Sequence, residues 1–329
     1  MKLLLRADAS PSIGAGHLAR VVAYAERAVA RGWKVAFSGQ TSNAEWLASR
    51  FSSLGVAQVP VADDAASLGS LASGFDAVLV DHYGLGDLRK DVNAAGAALI
   101  SIEDDVFGRR PADIVVDSAF VPASRPSDGS GLLLRGVAYA PLREAVLRTR
   151  DQRASAAPPL HVTVVLGGGA EWTSTVALLL RALRDTSLPF VADALVRGEP
   201  SLPSLLPGQS IRVSEPSPRL LETLASTDVA VSAAGVTFLE LCCLGVPTAA
   251  VQLVDNQASG YRAALDLGLA AGLGPAAALE EHLPEATALL RELLSDAALR
   301  RRLSDAASST VDGRGVDRVL DALSGGAVG

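Results

Sequence analysis

His17 stands directly behind two glycines in the segment Asp8-Ala9-Ser10-Pro11-Ser12-Ile13-Gly14-Ala15-Gly16-His17. A neutral imidazole can take a proton from water or from a hydroxyl at cellular pH, which makes a histidine in such a place a candidate general base. Gly14, Ala15 and Gly16 let the backbone come close to an anion, and a helix starting at Gly16 would add free amides and the positive end of its dipole. The segment therefore reads as a phosphate or diphosphate cradle with a base attached. A tight strand-to-helix turn carrying a histidine is the plainer alternative. Asp8, at the end of the preceding strand, is expected either to orient the imidazole or to cap the loop.

Asp81-His82-Tyr83-Gly84 ends an apolar run, Ala77 to Val80, and puts three polar side chains where a strand would meet a ligand. Asp81 could orient a histidine or bind sugar hydroxyls, with His82 and Tyr83 beside it; a strand-end turn closed by Gly84 is the alternative. Glu103-Asp104-Asp105 makes another acidic edge, and with no His or Cys at ligand spacing it reads as a solvated turn rather than a metal site. In the second half, Gly167-Gly168-Gly169-Ala170 follows an apolar strand and suits a diphosphate or a hinge. Ser232-Ala233-Ala234-Gly235-Val236-Thr237-Phe238-Leu239-Glu240 repeats the order of strand, small residues and helix. Ala234, Gly235, Val236 and Thr237 would admit a nucleotide to the helix start, and Glu240 could accept both hydroxyls of a ribose or serve as a buried cap. Asn256 and Gln257 offer amide donors and acceptors to a sugar or diphosphate. His161 and His282 have no catalytic neighbourhood in the sequence and read as structural.

Such residues need a scaffold that gathers strand ends. Lys2 to Arg6, Val35 to Ser38, Ala77 to Asp81 and Ala97 to Ile102 read as buried strands, separated by helical patterns over Gly16 to Arg31, Ala44 to Phe51 and Leu85 to Ala94. Alternating strands and helices imply a parallel sheet wound by right-handed crossovers, with ligands beyond the carboxyl ends of the strands. The polar, proline-ending segment 150–159 reads as a linker between a first domain, 1–149, and a second, 160–329. In the second domain, strands are expected at His161 to Leu166, Phe190 to Val196, Ser210 to Val213, Asp228 to Ser232 and Pro247 to Leu253, followed by a helical tail from Leu279 to Leu323.

A chain of 329 residues with 49% hydrophobic content is long enough for two α/β cores. Its formal charge of -7, with Lys2, Lys34 and Lys90 as the only lysines, argues against a general nucleic-acid binder. The 2 cysteines, Cys242 and Cys243, are adjacent in an apolar helical stretch and read as reduced, which points to the cytoplasm. Arg6 and Asp8 interrupt the N-terminal apolar run too early for a signal peptide, and the longest uncharged apolar run, Leu241 to Val254, is too short to span a bilayer. No membrane partner is expected.

The second-half pattern resembles the donor-binding signature of the two-Rossmann-domain nucleotide-sugar glycosyltransferases, especially the MurG-like group. RADASPSIGAGHLAR, VDHYGL, GVAYAPLREAV, SAAGVTFLE with DNQ, and VDGRGVDRVL resemble, in order from Arg6 to Leu320, the PseG family of UDP-2,4-diacetamido-2,4,6-trideoxy-β-L-altropyranose hydrolases of pseudaminic acid biosynthesis, related to SpsG-like spore-coat proteins. The resemblance implies an α/β fold of the GT-B type, with two Rossmann-like domains facing across a cleft. It also implies that His17 is the base for water attacking the anomeric carbon, with release of UDP. Gly14 and Gly16 would border the diphosphate, and Asp81, His82 and Tyr83 would line the sugar. Tyr139 and Arg143 match the family's residues before the linker, where Arg143 would meet the diphosphate or hold the domains. Glu240 would bind the uridine ribose, and Asn256 with Gln257 the diphosphate or sugar. Gly169-Ala170 stands where the family has Thr or Ser followed by Asp, and Asp117 where it has Asn, so the resemblance bears on the diphosphate more than on the sugar.

The expectation is therefore a UDP-sugar hydrolase, without metal or cofactor, acting as a monomer or weak homodimer. A glycosyltransferase on the same fold, with His17 deprotonating an acceptor hydroxyl, is the first rival, since fold does not decide function. A non-catalytic nucleotide-sugar-binding protein is the second.

Overall fold

The computed structural model describes residues 1–10, 13–42, 44–104, 106–151, 158–167, 172–217 and 219–325, and for Asn256 the backbone alone. The chain divides into two compact units, Met1–Glu144 together with Gly313–Gly329, and Ala145–Asp312. The first unit runs β1 (Lys2–Ala7), α1 (Gly16–Ala30), β2 (Lys34–Ser38), α2 (Glu45–Ser53), β3 (Ala57–Gln58), α3 (Ala65–Ala72), β4 (Ala77–Asp81), α4 (Arg89–Ala94), β5 (Ala98–Glu103), β6 (Ile114–Asp117) and β7 (Leu132–Arg135). Its 7 strands form one parallel sheet in the order β3-β2-β1-β4-β5-β6-β7. The order reverses between β1 and β4, and in open parallel sheets the crevice beyond the carboxyl ends at such a reversal is where ligands bind.

α1 forms because Leu18, Val21, Val22 and Ala25 recur on one face, and that face is fully buried against Leu3, Leu5, Ala7 and Leu79 of the sheet. Leu4, Val78 and Val80 point to the other face, where they pack with Leu68, Leu88 and Val92. The alternation decides which strand-end side chains can meet α1. Beyond β2, Gly39 lies so close to β1 that an added Cβ would stand 1.7 Å from the Ala7 carbonyl oxygen. Next to it, Gln40 donates its backbone N–H to Asp8 Oδ1 at 2.8 Å and accepts from the Ala9 N–H at 2.8 Å, so this contact fixes the loop after β1. Gly39→Ala is expected to destabilise the protein by about 3 kcal/mol, through overpacking against backbone that has no room to yield; a urea midpoint checks it.

α5 (Glu144–Arg150) leads into the second unit, made of β8 (Leu160–Val165), α6 (Thr173–Asp185), β9 (Phe190–Leu195), β10 (Gln209–Ser214), α7 (Leu220–Ala225), β11 (Val229–Ala233), α8 (Val236–Leu244), β12 (Thr248–Gln252), α9 (Ala258–Asp266), β13 (Ala271–Pro275), α10 (Leu283–Ser295) and α11 (Ala297–Thr310). Its 6 strands are parallel in the order β10-β9-β8-β11-β12-β13, with the reversal between β8 and β11.

The division differs from the expected one in two places. It falls at Glu144 and Ala145 rather than at 150–159, because a helix, α5, occupies Glu144–Arg150 and most of it goes with the second unit. The final helix α12 (Gly315–Leu323) returns to the first unit, where Val316, Val319 and Leu320 join the core that holds α1. Asp317 takes Arg31 at 3.1 Å, and Asp321 takes Arg31 at 2.7 Å. Strands β3, β6, β7 and β13 add to those expected from the sequence. Among the described residues, no helix is long and apolar enough to cross a membrane.

Candidate active site

His17 is the second residue of α1, just beyond the carboxyl end of β1, and Asp81 is the last residue of β4, its neighbour across the reversal in strand order. Their side chains meet: His17 Nδ1 lies 2.6 Å from Asp81 Oδ1, with Asp81 fully buried and the His17 side chain 9% exposed. Arg20, one turn along the same face of α1, grips the same carboxylate. Its Nε donates to Asp81 Oδ2 at 2.7 Å and its Nη2 to Asp81 Oδ1 at 2.8 Å. Arg20 Nη1 then reaches both oxygens of Asp104, at 2.6 and 2.7 Å. Asp104 also accepts the Tyr83 hydroxyl, and the Tyr83 ring stands edge-on to the His17 ring at 4.5 Å.

Burial alone would push the Asp81 carboxyl up, but the charge of Arg20 and the hydrogen bonds from His17 and Arg20 outweigh it and hold it down at about 2. An ionised Asp81 needs a donor at 2.6 Å, which assigns the ring proton to His17 Nδ1. The contact of 2.9 Å between Arg20 Nη2 and Nδ1 is then a charge beside the ring, since neither atom can accept from the other. In the neutral ring Nε2 is then the accepting nitrogen, and it makes no hydrogen bond to the described residues. Burial opposes the charge on Arg20, yet Asp104 and Asp81 raise it well above its ordinary range, so the guanidinium stays ionised.

Asp8 is not the partner of His17. It continues the alternation of Leu4 and Arg6, on the sheet face away from α1, and there Arg6 forks onto its two oxygens at 2.6 and 2.9 Å. Hydrogen bonds from His82, Arg6 and Gln40, working against burial, keep Asp8 well below the usual carboxylate range. His82 is not poised as a base either. Its Nδ1 accepts the backbone N–H groups of Gly84 and Leu85 at 3.0 and 3.1 Å, and its Nε2 lies 3.1 Å from Asp8 Oδ2, so both ring nitrogens are engaged in holding the turn. Tyr83, 43% exposed, emerges from this turn beside His17, and burial together with the Asp104 charge pushes its phenol up.

The acidic edge after β5 differs from the solvated turn expected of it. Glu103 is buried, bonded twice to Arg125, and Asp104 belongs to the His17 network; Asp105 lies outside the described residues. A tight turn joins Asp104 and Phe107 by reciprocal backbone hydrogen bonds at 3.1 and 2.9 Å, and the Phe107 ring packs at 5.7 Å from Tyr83. Among the described residues, no group of three or more His, Cys, Asp or Glu side chains could hold a metal ion.

Gly14 takes a positive φ of 80°, closing the loop onto Ser10 through a 2.8 Å backbone bond, and no side chain caps α1 at Ala15. Arg143 lies over the Trp46 ring at 5.3 Å, within the first unit. In the second unit, Gly167 follows β8 at a φ of 106°, while Gly168, Gly169 and Ala170 lie outside the described residues. Gly235 begins α8 with no side-chain cap and with open space where a Cβ would stand; Ala234, Val236 and Thr237 are half-buried beside it. Glu240 is one turn further in and buried. Gln257 accepts the Leu253 N–H at 3.0 Å, which closes the turn after β12. The Asn256 side chain lies outside the description. Sequence reasoning missed Arg20 and Asp104. Arg20 had a signal, since a residue three positions after His17 shares its helix face.

No family model matches the chain. Over 102 residues it is 30% identical to the spore coat polysaccharide biosynthesis protein SpsG of Bacillus subtilis strain 168, a stretch that covers 30% of this chain and 29% of that protein. The solved structure of Acinetobacter baumannii MurG superposes with a TM-score of 0.64 at 17% identity, over 98% of this chain and 99% of that one. The spinosyn forosaminyltransferase SpnP gives 0.64 at 18%, over 98% and 99%, and the glycosyltransferase VinC, solved in complex with DTDP, gives 0.63 at 15%, over 98% of both chains. Likeness at such identity establishes the fold, which is that of the GT-B glycosyltransferases.

Proposed function

We propose that this chain transfers a sugar from a nucleoside-diphosphate donor, with His17 as the general base that deprotonates the acceptor. The observation that carries this reading is the His17–Asp81 pair at the reversal of strand order, with Nδ1 committed to a buried, ionised carboxylate and Nε2 left to accept a proton. Asp81 holds the tautomer and stabilises the imidazolium that forms when Nε2 takes the acceptor proton. The uncapped start of α1 places backbone N–H groups and a positive dipole end beside that base, suited to charge developing on a diphosphate leaving group. In the second unit, the uncapped start of α8 takes a nucleotide phosphate and Glu240 the ribose hydroxyls.

Transfer to a hydroxyl is the leading reading, supported by the glycosyltransferases that share the fold. Hydrolysis, with water as acceptor, is the second. It is favoured by the ordered PseG-like motifs around His17 and by the partial likeness to SpsG. UDP release from a panel of UDP-sugars, measured with and without candidate acceptor alcohols, tests both: acceptor-dependent release supports transfer, and equal release without acceptor supports hydrolysis. No release on any sugar despite UDP binding would overturn both in favour of a non-catalytic binder. Glu240→Ala is expected to weaken UDP binding by about 100-fold or more, the worth of two hydrogen bonds to a charged group, as read by calorimetry.

A further inference from the structure

We infer that Arg20 is the positioning residue of the site, holding Asp81 square to His17 and setting the charge that the imidazole faces. This rests on the reading of His17 as a base. Arg20 and His17 are separated by a single turn of α1, so the helix itself fixes their spacing, and the guanidinium is buried with a side-chain exposure of 7%. Its planar donors serve both oxygens of Asp81 and both of Asp104, a geometry that a lysine ammonium cannot reproduce.

The charged and titratable groups around His17 can be named from each element packed against it. β4 brings Asp81, and α1 brings Arg20 and the phenol of Tyr24, which burial pushes up and keeps neutral. The turn after β4 brings the Tyr83 phenol, and the end of β5 brings Asp104 behind Arg20. Arg110, bonded to the His82 carbonyl, adds a charge that Asp81 feels, while Arg6, Asp8 and His82 occupy the other face of the sheet. Arg20 thus touches the imidazole and both carboxylates, one of which, Asp81, also meets the imidazole directly. Removing Arg20 would leave two negative charges that favour the imidazolium; removing Asp104 would take away part of that support.

The two substitutions therefore act with opposite signs. In the full chain carrying 15N-labelled histidine, with no substrate present, Arg20→Met is expected to move the midpoint of the His17 ring titration up by about one pH unit. Asp104→Asn is expected to move it down by less than that. Arg20→Lys should keep the midpoint near that of the parent chain while turnover on the accepted sugar falls at least tenfold, because the charge remains and the fork is lost. A residue with a merely structural role would lower the melting temperature and leave the midpoints unmoved, and that result would overturn the inference, as would shifts of the same sign in both variants. Where Arg20→Met does not fold, Asp104→Asn decides alone: a downward shift supports the inference and an unmoved midpoint overturns it. The titration reads the charge around His17 whether or not His17 is the base, so activity surviving in His17→Ala would overturn the functional reading while the midpoints still judge Arg20.

Discussion

His17→Ala is expected to lower turnover by about a thousandfold while UDP binding stays within about twofold of the parent chain. The size follows from the usual worth of a positioned general base. The split follows from the proposed roles, since the imidazole is assigned to the acceptor proton, while the backbone N–H groups at the start of α1 and the residues of α8 proposed for the nucleotide are untouched by the substitution. His17→Gln is the companion variant, keeping polar bulk beside Asp81 without a basic nitrogen, and it should be as inactive as the alanine variant. Single-turnover UDP release against calorimetric UDP affinity measures both quantities. Turnover that survives in both variants would sink the base assignment.

Asp81→Asn should come next, with turnover lowered by about 10²- to 10⁴-fold. An amide can meet Nδ1 with its oxygen, but it no longer stabilises the imidazolium and lets the other tautomer compete. It also takes from Arg20 the buried one of its two carboxylates, a loss of the kind that costs about 3 kcal/mol or more. The pH dependence has a definite sign. The folded carboxyl, near 2, lies below its value in the unfolded chain, so its contribution is fully present above the unfolded pKa and is lost as pH falls through the folded one. That contribution is about 2 kcal/mol at neutral pH. The stability gap between parent and variant should therefore narrow between pH 5 and pH 2, as urea midpoints at pH 6 and pH 2.5 would show.

What could be read from the sequence follows the range of each signal. The buried strands of the first unit and the face of α1 were legible because apolar periodicity is local, and the glycine loop before α1 because it interrupts it. The partner of His17 was not. Asp8 and Asp81 are both acids at strand ends, and only the pleat decides that Asp8 turns from α1 while Asp81 faces it, since Ala7 and Asp81 stand in register on one side. Asp104 was hidden for a related reason: an acid in a run of three looks solvated until an arginine from a distant helix is known to reach it. Strands β6 and β7, 4 residues each, sit at the lower limit of strand length, and no helical pattern between them sets them apart from a loop. The last helix shows a stripe of Val316, Val319, Leu320 and Leu323, which announces a buried face without saying which core buries it.

The return of α12 to the first unit makes that unit discontinuous along the chain, with consequences for how it is made and how it can be divided. During synthesis the whole of Ala145–Asp312 must leave the ribosome before the wall of α12 can close over α1, so the helix that carries His17 and Arg20 gains its last packing partners after the second unit has been translated. A fragment that stops at the end of α5 would expose an apolar face of α1 and invite self-association. A circular permutant that begins at α12 and joins it to β1 would keep the first unit contiguous, and of the two it is the form in which that unit could be studied alone.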